Sequence, residues 1–121
     1  MFAIRVIILC QNYILMNKYI NDLDNCDYLT ISELRIIYAH NNINLILDKL
    51  YKFTNLQILF LSYNQIKEIK GLNNLVSLQE LYLSNNQITE IKAIDKLINL
   101  HKIDLSNNQI TEIKAINKLI N

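Results

Sequence analysis

Apolar residues recur at fixed positions through the second half of the chain, in three blocks that align without a gap. The blocks begin at Asn55, Ser77 and Asn99, so the period is 22 residues (77 − 55 = 22, 99 − 77 = 22). Each block has Leu or Ile at the same seven positions and Asn at an eighth; in the first block these are Leu56, Leu59, Leu61, Asn64, Ile66, Ile69, Leu72 and Leu75. A fixed period of this length is typical of a solenoid, in which each repeat buries its apolar face against its neighbours.

The spacing within a block predicts the local structure. Leu59 and Leu61 alternate with Phe60 as inward and outward residues of a β-strand do. The later apolar positions step by three, which favours extended or 3₁₀ turns over a long α-helix. Strands of successive blocks would stack in parallel, about 4.8 Å apart. The predicted fold class is an α/β-type solenoid with a parallel β-sheet on the concave face and short 3₁₀, turn or irregular convex segments.

The three blocks resemble the leucine-rich repeat family, in its 22-residue class. That class is shared by bacterial internalin-type proteins, a phosphatase-regulatory subunit type and giant-virus proteins. The resemblance covers Asn55–Ile120, about half of the chain. Internalin-type repeats usually have Pro at the position that Gly71, Ala93 and Ala115 occupy here. The resemblance implies a non-enzymatic protein–protein interaction module that binds its partner on the concave strand face.

The repeat also extends towards the N-terminus in a weaker form. A step of 22 back from the first block places Leu34, Ile37 and Ala39 at the strand positions. A further match to the strand half occurs at residues 4–14, with Ile7 and Leu9 at the inward positions. We therefore expect residues 33–121 to form a solenoid of about four repeats. Residues 1–32 are expected to be a degenerate repeat or a cap, and a helical cap is an open alternative.

One asparagine in each repeat is predicted to turn the chain, which has one Gly and no Pro. We call each repeat of the predicted solenoid a rung. A buried side-chain amide at a strand end can bond to the backbone of its own turn and of the next rung. A polar binding stripe is the alternative interpretation of these residues. The predicted structural ladder consists of Asn42, Asn64, Asn86 and Asn108.

The outward strand positions vary most between the otherwise similar blocks, and they are the candidate binding surface. Their central column, with a step of 22, consists of Tyr38, Phe60, Tyr82 and Asp104. Exposed aromatic residues often anchor protein interfaces, although aromatic pairs across strands can also merely stabilise a sheet. The predicted ligand-binding residues are Tyr38, Ile58, Phe60, Glu80, Tyr82, Lys102 and Asp104.

Little in the sequence points to catalysis, a cofactor or a metal. The two histidines, His40 and His101, are expected about 14 Å apart on this repeat map, too far to share one ion. The net charge of +1 argues against nucleic acid as the main partner. No run of about 20 apolar residues predicts a membrane span. A protein partner is therefore expected.

The compartment and the mode of association are open at this stage. Cys10 and Cys26 make no disulfide framework, so a reducing, cytoplasmic setting is the default. One alternative is a truncated or structural repeat element that self-associates through an uncapped end near Asn121. The other is a secreted or surface-anchored recognition protein, because the first ten residues weakly resemble a targeting signal.

Overall fold

The computed structural model describes residues 4–9, 31–37, 43–92 and 94–113. The elements follow one another as strands, one short α-helix and one 3₁₀ helix. In chain order they are β1 (Ile4–Leu9), β2 (Ile31–Ile37), α1 (Ile43–Leu47), a 3₁₀ helix (Leu50–Lys52), β3 (Ile58–Phe60), β4 (Glu80–Tyr82), β5 (Glu90–Ile91), β6 (Lys102–Asp104) and β7 (Glu112–Ile113).

The described part of the chain contains two β-sheets, each made of parallel strands. The main sheet has five strands in the order β1-β2-β3-β4-β6, and a smaller sheet pairs β5 with β7. A β-bridge between Glu68 and Glu90 places the preceding rung beside this smaller sheet. Consecutive rungs meet in the predicted register, with Leu59 beside Leu81 and Leu81 beside Ile103. The predicted solenoid, with its main sheet of short parallel strands, is therefore confirmed.

Tight turns line the side of the solenoid away from the main sheet. In one rung the amide of Leu75 donates to the carbonyl of Leu72 at 3.0 Å, and the amide of Leu78 donates to Leu75 at 3.0 Å. The next rung repeats this pattern, with Leu97 donating to Ile94 at 3.1 Å. Each turn advances three residues, which explains why apolar residues at a step of three all point inward.

The core lies between the main sheet and these turns. Leu59, Leu61 and Leu81 are almost completely buried, as are the turn residues Leu72 and Leu75. Each such side chain stabilises the fold by roughly 1.5–3 kcal/mol relative to an exposed one. Because neighbouring rungs supply most of the covering surface, the stability of one rung depends on the rungs beside it.

The predicted register of the rung before the first block is wrong by three residues. Leu34 pairs with Leu59, a step of 25 (59 − 34 = 25), and Arg35 pairs with Phe60. Leu34 and Ile36 are therefore the inward residues, and both are fully buried. The convex segment of this rung contains α1 and the 3₁₀ helix. A helix rises about 1.5 Å per residue and a strand about 3.3 Å, so a helical segment needs more residues to cover the same path.

Residues 4–9 form a strand that adds to the same sheet. β1 runs parallel to β2, and its register places Val6 beside Leu34 and Ile8 beside Ile36. The sequence had suggested Ile7 and Leu9 for those positions. Residues 4–9 thus extend the main sheet. Residues 1–3 and 10–30 lie outside the described residues, so a degenerate repeat or a cap in residues 1–32 stays a prediction.

Candidate interaction surface on the concave sheet

The outward positions of β2, β3, β4 and β6 form two columns that cross the strands, which we call the concave face. The pairing register defines both columns. The central column consists of Arg35, Phe60, Tyr82 and Asp104. The flanking column consists of Glu33, Ile58, Glu80 and Lys102.

Arg35 occupies the place in the central column that the sequence had suggested for Tyr38. The cause is the step of 25 between β2 and β3, which brings Arg35 beside Phe60. Tyr38 and Asn42 lie outside the described residues, so nothing is said of their positions. The alternation Glu33-Leu34-Arg35-Ile36 matches Glu80-Leu81-Tyr82-Leu83 in its polar and apolar positions. That match was the signal that could have identified Glu33 and Arg35.

Two aromatic rings form the centre of the concave face. The rings of Phe60 and Tyr82 have centroids 5.3 Å apart and planes tilted by 34°. Both side chains are half-buried. Tilted pairs at this distance attract each other beyond the area that they bury, by about 0.5–1.5 kcal/mol. The pair therefore forms a continuous apolar patch on the concave face.

A cation from the neighbouring rung lies over each ring. Arg35 Cζ lies 5.2 Å from the centroid of Phe60, and Lys102 Nζ lies 5.1 Å from the centroid of Tyr82. At exposed sites such contacts are worth about 0.5–1 kcal/mol. The two cations therefore contact the aromatic pair from neighbouring rungs on both sides.

Two acidic side chains of the flanking column interact with the cations and with the Tyr82 hydroxyl. Glu33 is 4% exposed, and its carboxylate accepts a hydrogen bond from Arg35 Nε. A buried carboxylate requires such a partner because water cannot solvate it. Glu80 accepts a hydrogen bond from the Tyr82 hydroxyl and lies 3.9 Å from Lys102 Nζ. Interaction with the Tyr82 hydroxyl and, secondarily, with Glu80 raises the pKa of Lys102.

Asp104 ends the central column with a carboxylate. Its Oδ1 accepts hydrogen bonds from the Ser106 hydroxyl at 2.7 Å and from the Ser106 amide at 3.0 Å. These two bonds lower the pKa of Asp104, and partial burial opposes them. Asp104 therefore carries its negative charge at neutral pH, at the opposite end of the column from Arg35.

Two buried serines follow β3 and β4, two residues after the end of each strand. Ser62 and Ser84 are buried, and the Ser84 hydroxyl lies 2.9 Å from the Ser62 hydroxyl. Their polar atoms are therefore satisfied within the protein. The accessible part of the concave face accordingly lies in the two columns defined above, apart from the buried Glu33.

Asn86 connects two rungs beneath the ends of the strands. Its Oδ1 accepts from the amides of Asn64 at 3.0 Å and Ile66 at 2.9 Å. Its Nδ2 donates to the carbonyls of Leu61 at 3.0 Å and Leu83 at 2.9 Å. The side chain thus bonds to its own turn and to the preceding rung, whereas the sequence had suggested the next rung.

The same arrangement recurs on either side of Asn86. Asn108 donates to the carbonyl of Leu83 at 2.9 Å and accepts from the amide of Ile88 at 3.0 Å. Asn64 donates to the carbonyl of Ile36 at 2.5 Å. Asn64 and Asn86 are buried and Asn108 is half-buried. These side-chain amides bond to the backbone and expose little surface.

Two further observations concern metal ligands and membrane-spanning helices. Among the described residues, no three His, Cys, Asp or Glu side chains converge as a metal site requires. Within the same part of the chain, no helix is long and apolar enough to cross a membrane.

Short parallel strands, buried asparagines at the strand ends and three-residue turns define the leucine-rich repeat class of solenoids. The sequence matches the family described as Leucine Rich repeats (2 copies) over residues 54–96 and again over 76–121, and the chain belongs to this family. A search of curated proteins finds no match.

Solved structures of two bacterial proteins are similar to this chain. Internalin C2 from Listeria monocytogenes is 27% identical with a TM-score of 0.61, and the match covers 74% of this chain and 38% of that one. An internalin (inlF) from the same organism is 33% identical with a TM-score of 0.58, and the match covers 74% of this chain and 26% of that one. The matched region is therefore well under half the length of either internalin.

Proposed function

We propose that this chain is a non-enzymatic protein-interaction module that binds a protein partner through the concave face. The observation that carries the proposal is the half-buried Phe60–Tyr82 pair at the centre of the sheet, which lies between Arg35 and Lys102. Aromatic residues surrounded by polar groups are the usual anchors of protein interfaces. The similarity to leucine-rich repeat proteins supports an interaction module in general.

Rigidity makes this pair suited to binding. A partner loses affinity when side chains at the interface must be ordered, at about 0.5–1.5 kcal/mol for each one that is immobilised. Phe60 and Tyr82 are already restrained by each other and by the two cations. The entropic cost of binding on this surface is correspondingly small.

The alternative is that the aromatic pair only stabilises the sheet, a contribution of about 0.2–1 kcal/mol. The last rung argues against that alternative. β4 pairs with β6 over three residues, as β3 pairs with β4, although Asp104 takes the place of an aromatic residue there. An aromatic residue in the central column is thus unnecessary for strand pairing.

Capture of partners from a lysate of the source organism tests the proposal. The test variant is Phe60→Ala with Tyr82→Ala. The matched control is Val76→Ala with Ile98→Ala, which removes two exposed apolar side chains from turns outside the main sheet. We expect wild type and control to capture the same protein. The test variant should capture at least about tenfold less, since one hot-spot residue contributes 2 kcal/mol or more.

Circular dichroism and thermal unfolding establish first that both variants are folded. Equal capture by the test variant would contradict binding through the concave face. Loss from the control variant alone would move the interface to the turns. Concentration-dependent oligomers that persist in both variants, with no captured protein, would support a structural repeat element instead.

A further inference from the structure

The concave face has an electrical polarity across the strands that restricts the chemistry of its partner. Read from β2 to β6, the central column is a cation, two aromatic rings and an anion: Arg35, Phe60, Tyr82 and Asp104. Three strand spacings of about 4.8 Å separate its ends by about 14 Å. A partner that crosses the strands therefore meets opposite charges at the two ends and an apolar surface between them.

The flanking column compensates part of this charge, because Glu33 pairs with Arg35, but it leaves hydrogen-bonding groups exposed at both ends of the central column. Glu80 and Lys102 lie on neighbouring rungs, 3.9 Å apart, and compensate each other. Glu33 is buried and its carboxylate is bound by Arg35 Nε. That bond uses one of the five guanidinium donors, and the Arg35 side chain is 38% exposed. Arg35 can thus still bind a partner's carboxylate.

Asp104 is equally suited to its end of the column. Both bonds from Ser106 go to Oδ1, and a carboxylate accepts more than two hydrogen bonds. Lys102, on the same strand, leans over the ring of Tyr82 towards the centre of the face. The charge that a partner meets at the end of the central column is therefore that of Asp104.

The spacing of the column matches an extended peptide. In an extended chain, residues i, i+2 and i+4 face the same side, and i and i+4 are about 13 Å apart. One such segment can place a charged side chain at each end of the column and an apolar side chain on the Phe60–Tyr82 pair between them.

We infer that the concave face binds an extended protein segment in which an acidic and a basic residue, four positions apart, flank an apolar residue. The acidic side chain contacts Arg35, the apolar side chain packs on Phe60 and Tyr82, and the basic side chain contacts Asp104. This inference rests on the proposed function and specifies its partner. The segment can run in either direction, because only the places of its charges are fixed.

Synthetic fluorescent peptides test the inference by anisotropy. The probe has glutamate, serine, leucine, serine and lysine in that order between neutral flanks. Two control peptides carry glutamate or lysine at both charged places, and a third carries serine at both. Wild type should bind the mixed-charge probe roughly two- to fivefold more tightly than either like-charged peptide, as one surface ion pair is lost in each case.

Variants of the chain then reverse the preference. Asp104→Lys makes both ends of the column positive, so it should prefer the peptide with two glutamates. Glu33→Gln with Arg35→Gln removes both partners of the buried pair together and leaves no unpaired buried charge. That variant should lose its discrimination between the mixed-charge peptide and the peptide with two lysines. Lys70→Glu changes the charge of a residue outside the concave strands and should alter no preference.

The outcomes separate this inference from the proposed function. Equal affinity for all four peptides, abolished by Phe60→Ala with Tyr82→Ala, would overturn the charge pattern and leave the concave interface standing. Binding that survives the aromatic substitutions would contradict both. Failure of every peptide to bind, or an unchanged preference in Asp104→Lys, would overturn the inference.

Discussion

Buried amides hold the turns of this chain where other small domains use Gly and Pro. The buried Asn86 side chain bonds to the amides of Asn64 and Ile66 and to backbone carbonyls of its own and the preceding rung, and so joins the two rungs. The sequence predicted these positions because the period repeats them. It could not predict that each amide reaches the preceding rung, since both neighbours carry the same residue and only the side-chain geometry separates them.

The loss of stability on replacing one of these asparagines should therefore depend on how deeply its side chain is buried. Asn86→Leu would leave the amides of Asn64 and Ile66 buried without that acceptor, at about 1–3 kcal/mol each. We expect a loss of about 4 kcal/mol in the free energy of unfolding, a large part of the usual 5–15 kcal/mol. Asn108→Leu should lose about 1–2 kcal/mol, because Asn108 is half-buried and water can replace its bonds. Urea unfolding followed by circular dichroism measures both, and equal losses would contradict the account.

At the scale of elements, the rung that contains α1 differs from the copies that follow it. Three nearly identical blocks defined one register, and a single divergent rung offered no second copy to reveal its extra residues. The step of 25 shifts the whole rung, so it replaces Tyr38 by Arg35 in the central column. The prediction of Phe60 and Tyr82 as neighbours needed no such correction, since both lie in the regular blocks.

Gly71 allows the backbone of the following rung to pack closely against α1. It has φ +77°, and a Cβ at this position would lie 2.5 Å from the carbonyl oxygen of Leu47 in α1. Gly71→Ala should therefore lower the free energy of unfolding by about 1–3 kcal/mol. Asn107 has φ 54° at an exposed position, so Asn107→Ala is a control for the positive φ. A loss no larger than that of the control would show that contact with α1 is unimportant.

At the scale of the molecule, stability should grow with the number of rungs. The blocks are nearly identical and pair in one register. A second copy of residues 77–98, inserted after residue 98, would therefore pack against neighbours in the same way as the original block does. Each added repeat contributes its own folding energy and a new interface with its neighbour. We expect a higher denaturant midpoint, whereas a scrambled insert of the same composition should lower it. A midpoint unchanged by the ordered insert would contradict nearest-neighbour stabilisation.

The central claim concerns contact at the concave face, and site-specific photocrosslinking in cells of the source organism tests it most directly. Benzoyl-phenylalanine would replace Phe60 on the concave face in one variant and Val76 in an exposed turn in another. We predict a covalent adduct with a protein partner from position 60 and none from position 76. An adduct from position 76 alone, or equal adducts from both positions, would contradict recognition through the concave face.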